Sequence, residues 1–316
     1  MKRVCVVVPC YNEQENVTLL YERLLVVFAK QRDISWNILF VDDGSADETT
    51  TVVKKLIGKH DNIALIELSR NYGHQAALIA GLEHAEGDAV ISMDADLQHP
   101  PELIPELLKL WDEGAEIVYT VRQDTEAVPL MKKLSSKLYY RLFNVFADIS
   151  LVEGSADFRL YDASVIAVLN RYQERSIFLR GIVTQMGFKQ QSVVYSAGQR
   201  HAGKSSYSLK KMLQLARDGI TSFSVRPLRF AIYIGILFAV AAMCYVVYAL
   251  LQALRGASVH GWASMTAGIF LMGGIQLIFL GVIGEYIGQI FNEVKRRPRY
   301  AVRKLYGNSN IMKDPR

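Results

Sequence analysis

A long run without a single charged side chain lies in the second half of the sequence, from Phe230 to Leu254. As an α-helix rising about 1.5 Å per residue, this run would cross the roughly 30 Å hydrocarbon core of a bilayer. A second uncharged run, from Ala263 to Gly284, is richer in glycine and contains one amide, Gln276. Core helices of soluble proteins are usually shorter and amphipathic, so the sequence predicts two transmembrane helices.

The charges around these runs predict how the chain crosses the membrane. Only Arg255 lies in the short connection between the runs. Basic residues cluster before the first run and after the second: Lys210, Lys211, Arg217, Arg226, Arg229, Lys295, Arg296, Arg297, Arg299, Arg303 and Lys304. By the positive-inside bias, both termini are expected in the cytoplasm. The N-terminus resembles no signal peptide, because Pro9, Asn12 and Glu13 interrupt its first apolar stretch.

These features divide the chain into three predicted parts. Residues 1–225 are expected to form a cytoplasmic domain, residues 226–292 a two-helix transmembrane domain, and residues 293–316 a basic cytoplasmic tail. The tail is polar from Tyr306 onward and is expected to be disordered there. The net charge is +5, and the cations crowd beside the apolar runs. Because no nucleic-acid reader motif accompanies them, the expected partners are membrane lipids and not nucleic acid.

The first half of the chain alternates short β-rich runs with segments of helical spacing. Such alternation predicts an α/β domain with a mostly parallel, doubly wound sheet. The five candidate strands are Cys5–Val8, Asn37–Val41, Ile63–Leu68, Ala89–Met93 and Ile117–Thr120. Ligands of such sheets bind beyond the carboxyl ends of the strands. The residues after each strand are therefore the first candidates for a functional site.

Two later segments, near residues 131–147 and 208–223, combine an apolar stripe with basic flanks. Ordinary packing on the sheet explains most stripes of this kind. Because both segments lie near the apolar runs and carry lysines, we hypothesise that they are helices in the membrane interface, with the lysines reaching toward lipid headgroups.

Two acids and an amide follow the fourth candidate strand. Asp94, Asp96 and Gln98 occupy every second position there. Alternate residues of an extended segment point to one side, so these side chains could direct three oxygen atoms at one hard divalent cation. An Asp-x-Asp pattern alone is common by chance. Its position at the carboxyl end of a strand is what favours a metal site.

Polar residues also follow the first two strands. Asp42 and Asp43 could accept hydrogen bonds from a nucleobase or ribose, or could belong to an ordinary Asp-Gly turn. Tyr11 and Glu13 follow the first strand, where helix capping is the alternative. Three strand ends that all carry polar groups predict one crevice with a shared function.

Three segments resemble the nucleotide-sugar half of family-2 glycosyltransferases, which have the Rossmann-like GT-A fold. They are VVVPCYNEQENV, VDDGSADET and DADLQHPPELIP. The later segment GSADFRLYD and the two apolar runs are similar to the polyprenyl-phosphate sugar transferases of that family. Those include the dolichyl-phosphate mannose and bactoprenol glucosyl transferases. The resemblance covers nearly the whole chain and implies a GT-A domain followed by two transmembrane helices.

The resemblance also implies roles for individual residues. The nucleoside would be held by Pro9, Tyr11, Glu13, Asp42 and Asp43. The donor diphosphate and a Mg²⁺ or Mn²⁺ ion would be held by Asp94, Asp96 and Gln98. Asp94 would also contact the nucleotide, and Asp157 would join Asp94 and Asp96 as a catalytic residue, close to the transferred sugar.

For the acceptor phosphate, the resemblance implies a set of cations and one hydroxyl: Arg122, Lys133, Ser136, Arg200 and Lys204. Lys132 is an alternative to Lys133. The loop from Arg200 to Tyr207 departs from the family pattern R-x-x-G-E-S-K-Y. Lys204 replaces the acid and Ser206 replaces the lysine, which puts the contacts of this loop in question.

The implied activity is inverting, metal-dependent transfer of a sugar from a nucleotide-sugar, by resemblance a UDP-hexose, to polyprenyl (undecaprenyl) phosphate. The product would be a polyprenyl-phospho-sugar donor for modifying envelope glycans such as lipopolysaccharide at the bacterial inner (plasma) membrane. A phosphate monoester is largely a dianion at neutral pH and needs no strong general base. Asp157 is therefore expected to orient the sugar or stabilise positive charge at the anomeric carbon. Glycines such as Gly268 and Gly281 also indicate close helix contacts, within or between subunits, and a homo-oligomer is expected.

Three rival functions fit the sequence less well, because the chain lacks the features that the first two require and carries the groups that the third would not need. A processive polysaccharide synthase would carry more spans and a Q-x-x-R-W motif, to which Gln214–Asp218 comes closest. A nucleotidyltransferase would show a glycine-rich phosphate loop near its start. A catalytically inactive membrane scaffold would not need the metal and nucleotide groups that this sequence carries.

Overall fold

The computed structural model describes residues 1–123, 152, 154–172, 174, 178–196, 224–255, 261–308 and 310–313. Two compact units can be distinguished. The first, the sheet unit, comprises Met1–Tyr140, Ile149–Tyr207 and Arg297–Arg316. The second, the helical unit, comprises Arg141–Asp148 and Ser208–Arg296. The predicted interfacial helices near residues 131–147 and 208–223 lie outside the described residues.

An eight-stranded sheet forms the centre of the sheet unit. In chain order its strands are β1 (Lys2–Cys10), β2 (Ile34–Asp42), β3 (Ile63–Leu68), β4 (Ala89–Ser92), β5 (Ile117–Gln123), β6 (Ser155–Asp162), β7 (Gln190–Ser196) and β8 (Val302–Gly307). Across the sheet they lie in the order β7-β5-β6-β4-β1-β2-β3-β8. All five predicted strands are present, and the predicted α/β architecture is confirmed.

Strand pairing in the centre of the sheet is parallel. β1 lies between β2 and β4 and pairs in parallel with both, and β2 pairs in parallel with β3. β6 is antiparallel to both of its neighbours, and β8 is antiparallel to β3. The chain moves outward from β1 to β3 and then crosses back to place β4 on the other side of β1. Such a switch point opens a crevice at the carboxyl ends of the two strands that flank it.

Among the described residues of the sheet unit, six α-helices pack around this sheet: α1 (Val17–Phe28), α2 (Thr49–Ile57), α3 (His74–His84), α4 (Ile104–Asp112), α5 (Ala163–Leu169) and α6 (Leu179–Gln185). Residues 4–10 of β1 are buried, as expected for a strand covered on both faces. Val17, Leu20 and Leu24 recur at helical spacing after the first strand, and all three are buried on one side of α1, which confirms a helix between the first two strands.

The chain end differs from the prediction. Residues 302–307 form β8 along the edge of β3, and Ile311 and Met312 are buried. The expected disorder from Tyr306 onward is therefore wrong for the described residues 306–308 and 310–313. Tyr306 donates a hydrogen bond to Glu67 of β3 at 3.0 Å. A few apolar side chains among the basic ones are sufficient to cover a sheet edge that would otherwise expose unpaired backbone groups.

The helical unit contains α7 (Arg226–Leu254) and α8 (Trp262–Val294), of 29 and 33 residues. Both are long and apolar enough to cross a membrane. The segments concerned are Arg226–Tyr245 and Gly268–Val294, and neither is buried within the protein. α7 and α8 contact each other, and the Tyr286 hydroxyl of α8 donates to the backbone oxygen of Ser224 at 2.6 Å. The two apolar runs are thus helical, as the sequence predicts.

Gly307, at the end of β8, provides a test of the edge strand. Its φ is +101°, and a Cβ there would lie 2.5 Å from the Ile63 backbone oxygen of β3. We expect Gly307→Ala to lower the melting temperature more than Gly187→Ala, whose φ is +74° with no atom within 4 Å of the added Cβ. Both variants carry a left-handed backbone penalty of about 1 to 2 kcal/mol, but only Gly307→Ala displaces a strand. Equal losses, measured by thermal unfolding in detergent, would contradict the edge contact.

Candidate active site

A cavity of about 250 Å³ lies at the carboxyl ends of β1, β2 and β4. Six of the residues predicted from the sequence line it: Pro9, Tyr11, Glu13, Asp43, Asp94 and Asp96. Six residues without a predicted role also line it: Cys10, Asn71, Gly73, His74, Ala77 and Ala95. The predicted convergence of strand ends on one crevice is therefore present in the fold.

Asp43 holds the turn that leads into α3. Its two carboxylate oxygens accept hydrogen bonds from the backbone N–H groups of Tyr72 and Gly73 at 2.7 and 2.8 Å. Burial raises the pKa of Asp43, and these two bonds only partly offset the effect. Gly44 follows with a φ of +70°, and a Cβ there would lie 2.6 Å from the Arg70 backbone. The Asp-Gly turn and the cavity position thus occur together.

Asp42 is not among the residues that line the cavity. It is buried, and its Oδ2 accepts a hydrogen bond from the backbone N–H of Ser45 at 3.2 Å. Its Oδ1 has no hydrogen-bond partner within the described part of the chain. The two neighbouring aspartates are therefore placed differently, and the structure brings only Asp43 to the cavity.

Glu13 and Tyr11 follow β1 on the cavity wall. Asn16 donates to the Glu13 carboxylate at 2.6 Å, and the Glu13 backbone N–H donates to Thr49 at 2.8 Å. Burial raises the pKa of Glu13, and the negative charges of Asp96, Asp47 and Asp94 add to the increase. Asn16 is the N-cap of α1, where no side chain caps the helix. The capping alternative for this segment is therefore not supported.

The Asp-x-Asp segment is a turn and not an extended strand. β4 ends at Ser92, residues 95–96 turn, and Leu97 has a φ of +61°. The predicted alternation of three side chains is wrong in this respect. Asp94 and Asp96 still line one cavity, but the Gln98 amide is turned toward Asp96, to which it donates, and its oxygen accepts from Arg122 at 3.3 Å.

His74, the first residue of α3, contacts Asp94. Its Nε2 lies 2.8 Å from Asp94 Oδ1, and the Asp94 backbone N–H donates to His99 Nδ1 at 3.0 Å. Burial raises the pKa of Asp94, but the hydrogen bond from His74 and the charges of His99 and His74 outweigh it, so the pKa lies below its usual range. Asp94 is therefore ionised near neutral pH.

Asp157 reaches the same edge of the sheet because β6 runs antiparallel to β4. Arg180 of α6 donates to both carboxylate oxygens of Asp157, at 2.8 and 3.0 Å. Gln75 of α3 donates to Oδ2 at 3.3 Å. Burial raises the pKa of Asp157, but the charge and hydrogen bonds of Arg180 outweigh it and lower the pKa to about 2. This carboxylate is ionised at every physiological pH.

Comparison with known proteins identifies the family. The model of "Glycosyl transferase family 2" matches residues 5–169, and that of the "GtrB C-terminal hairpin" matches residues 226–290. The chain belongs to glycosyl transferase family 2. It is accordingly a glycosyltransferase, and the alternative of an inactive scaffold is not supported.

Relatives from this family align along almost the whole chain. The uncharacterized glycosyltransferase YkcC of Bacillus subtilis is 42% identical over 306 residues, which covers 96% of this chain and 94% of YkcC. The bactoprenol glucosyl transferase of Shigella phage SfII is 37% identical over 305 residues, covering 96% and 98%. The prophage bactoprenol glucosyl transferase homolog of Escherichia coli K12 is 36% identical over 304 residues, covering 96% and 99%.

The acceptor-side residues implied for this family-2 glycosyltransferase are only partly described. Arg122 is exposed near the end of β5, where it contacts Gln98. Four others lie outside the described residues: Lys133, Ser136, Arg200 and Lys204. The structure therefore places one predicted acceptor residue beside the Asp-x-Asp turn.

Three further residues hold the acids of this glycosyltransferase and were missed in the sequence: His74, Gln75 and Arg180. His74 and Gln75 follow β3, so the rule applied to the other strand ends would have found them. No local pattern marks Arg180, which comes from a separate helix. Its proximity to Asp157 depends on the tertiary fold.

The low pKa of Asp157 predicts a pH-dependent contribution to stability. An ionised carboxylate with a folded-state pKa of about 2, below the usual value of about 3.9, stabilises the fold above pH 4. That contribution is lost as the pH falls from about 4 toward 2. We expect the melting-temperature difference between wild type and Asp157→Asn to be constant above pH 5 and to shrink below pH 4.

A matched control for this measurement is Asp112→Asn, which removes an exposed ion pair with Lys2. Exposed pairs contribute little to stability, so this variant should melt close to wild type throughout. A difference for Asp157→Asn that widened at low pH would contradict the ionised state.

Proposed function

We propose that this glycosyltransferase moves a sugar from a nucleotide-sugar, a UDP-hexose, to polyprenyl (undecaprenyl) phosphate, with inversion at the anomeric carbon and with a divalent metal ion. One observation carries the proposal. Acids from the ends of β1, β2 and β4 line a single cavity, in a chain whose full-length relatives include proteins named bactoprenol glucosyl transferase.

The cavity side nearest β1 and β2 is the proposed nucleoside site. Tyr11 is 47% exposed and offers a ring on which a base could stack. Pro9, Glu13 and Asp43 line the same wall, with Asp42 buried behind it. Acidic side chains suit this role because nucleobase N–H and ribose hydroxyl groups are hydrogen-bond donors.

Asp94 and Asp96 fit a Mg²⁺ or Mn²⁺ ion, with Gln98 as the neighbouring amide. Within the described residues, no three His, Cys, Asp or Glu side chains form a metal cluster. Magnesium commonly takes only one or two carboxylates and completes its shell with water and substrate phosphates. Two aspartates on one cavity wall are thus a sufficient protein contribution. When bound, the ion would stabilise the negative charge that develops on the departing diphosphate.

Asp157 is proposed to act as an ionised group that orients the sugar or stabilises positive charge at its anomeric carbon. A carboxylate with a pKa of about 2 accepts a proton poorly at neutral pH. The proposed acceptor does not require proton removal, because a phosphate monoester is largely a dianion there. A weakly basic Asp157 is therefore compatible with an acceptor that needs no proton removal.

The acceptor phosphate and the donor diphosphate repel each other, so cations are required to bring them together. Arg122 lies beside the Asp-x-Asp turn, and we propose that Lys133, Ser136, Arg200 and Lys204 join it at the acceptor phosphate. A lipid acceptor fits a protein with two apolar helices that are long enough to cross a membrane.

We further propose that the protein is a homo-oligomer in the bacterial inner membrane. Its product would be a sugar donor for envelope glycans such as lipopolysaccharide.

Replacing the acids tests the metal role. We expect Asp94→Asn and Asp96→Asn to lower nucleoside diphosphate release with undecaprenyl phosphate at least a hundredfold, while both variants still fold cooperatively. The donor is identified by measuring wild-type transfer from each of a panel of UDP- and GDP-sugars. Adding a chelator should stop the wild-type reaction. Asp61→Asn, in the exposed turn before β3, is the matched control and should keep wild-type activity. Full activity with chelator present would overturn the metal dependence.

Cysteine labelling tests the proposed topology, in which the turn between α7 and α8 faces outward. Cys244 is exposed and would first be replaced by serine, whereas Cys5 and Cys10 are buried. In intact cells, a membrane-impermeant maleimide should label Ser258→Cys but should label Lys313→Cys only after permeabilisation. The reverse pattern would contradict cytoplasmic termini.

A further inference from the structure

Asp157 is held by three separate elements of the fold. Arg180 of α6 grips both of its oxygens, and Gln75 of α3 donates to Oδ2. The hydroxyl group of Ser92, at the end of β4, donates a hydrogen bond to the backbone oxygen of Asp157. Backbone and side chain are thus fixed independently, and the residue is only 9% exposed.

Stability alone does not explain such a pair. The Asp157 carboxylate is largely removed from water, whereas the Arg180 side chain is 34% exposed. The cost of removing the carboxylate from water offsets much of the attraction, and partial exposure of the arginine weakens the attraction further. The pair also lies in a crowded electrostatic setting. His74 and Arg159 favour the ionised carboxylate, whereas Asp94 opposes it. A role in orienting the carboxylate accounts for its position beside the cavity.

The hydrogen-bond inventory of the Asp157 carboxylate shows what is left for a substrate. An ionised carboxylate has about four acceptor sites. Arg180 Nε uses one on Oδ1, and Arg180 Nη2 and Gln75 use two on Oδ2. Among the described residues, this leaves one site, and it is on Oδ1. The planar fork of an arginine also fixes the rotation of the carboxylate plane, which a lysine does not.

We propose that Arg180 is a positioning residue for the transfer reaction: its fork sets the rotation of Asp157 so that the open acceptor site on Oδ1 faces the sugar of the bound donor. The inference rests on the proposed function, because it requires a donor sugar in the cavity. Arg180 itself need not touch the substrate.

The test compares Arg180→Gln, Arg180→Lys and Arg23→Gln in the full-length protein. Arg23 forms a matched fork on Glu102 at 3.1 and 2.6 Å on the surface. Transfer from UDP-glucose, or from the donor found in the panel, to undecaprenyl phosphate is measured as kcat and donor KM. A small misplacement of a catalytic group can cost about a hundredfold in rate. We expect Arg180→Gln to lower kcat by about that factor with donor KM within threefold.

The conservative variant separates positioning from folding. Arg180→Lys keeps the charge but loses the fork, so its kcat should lie between those of wild type and Arg180→Gln, and Arg23→Gln should match wild type. If Arg180→Gln does not fold, a fall in kcat at constant KM in Arg180→Lys decides the question. Unchanged kcat in the Arg180 variants, or a rise in KM alone, would overturn the positioning role. Failure of wild type to transfer to undecaprenyl phosphate would instead refute the proposed function.

Discussion

Burial of several carboxylates near one another is the constraint on which the arrangement of this site depends, because removal from water disfavours their charge. These carboxylates fall into two groups. Glu13 and Asp43, on the proposed nucleoside side, have raised pKa values because burial disfavours their charge. Asp94 and Asp157 have lowered pKa values because His74 and Arg180 offset the burial. Burial thus disfavours ionisation at Glu13 and Asp43, whereas ionisation is favoured at Asp94 and Asp157, which are proposed to lie nearest the reacting groups.

Helix α3 connects the features of the sheet unit that define this site. Asp43 fixes the turn before its first residue, and His74 and Gln75 at its start contact Asp94 and Asp157. At its other end, Glu83 pairs with Arg299 at 2.9 Å. The segment that follows α8 is thus attached to the same helix that positions both acids. Within the sheet unit, the chain end is part of the structure that supports the site.

Hydrophobic alternation and strand-end polarity predicted much of the fold and the cavity. Both rules are local, and they failed where the outcome depends on tertiary contacts. Leu97, at φ +61°, turns the Asp-x-Asp segment away from the extended geometry that alternation assumes. β8 is short and basic, so only its pairing with β3 distinguishes it from a disordered tail. Arg180 is distant in sequence from Asp157, and no spacing rule relates the two.

The charge balance of the described site gives the proposed metal ion and the proposed acceptor cations separate roles. Glu13, Asp43, Asp94 and Asp96 line the cavity, and Asp157 lies beside it already paired with Arg180. A diphosphate donor and a phosphate acceptor would add further negative charge. Like charges at contact distance repel strongly in a partly buried site. The proposed divalent ion at Asp94 and Asp96 would offset only the charge of the donor, so the proposed acceptor would need cations of its own.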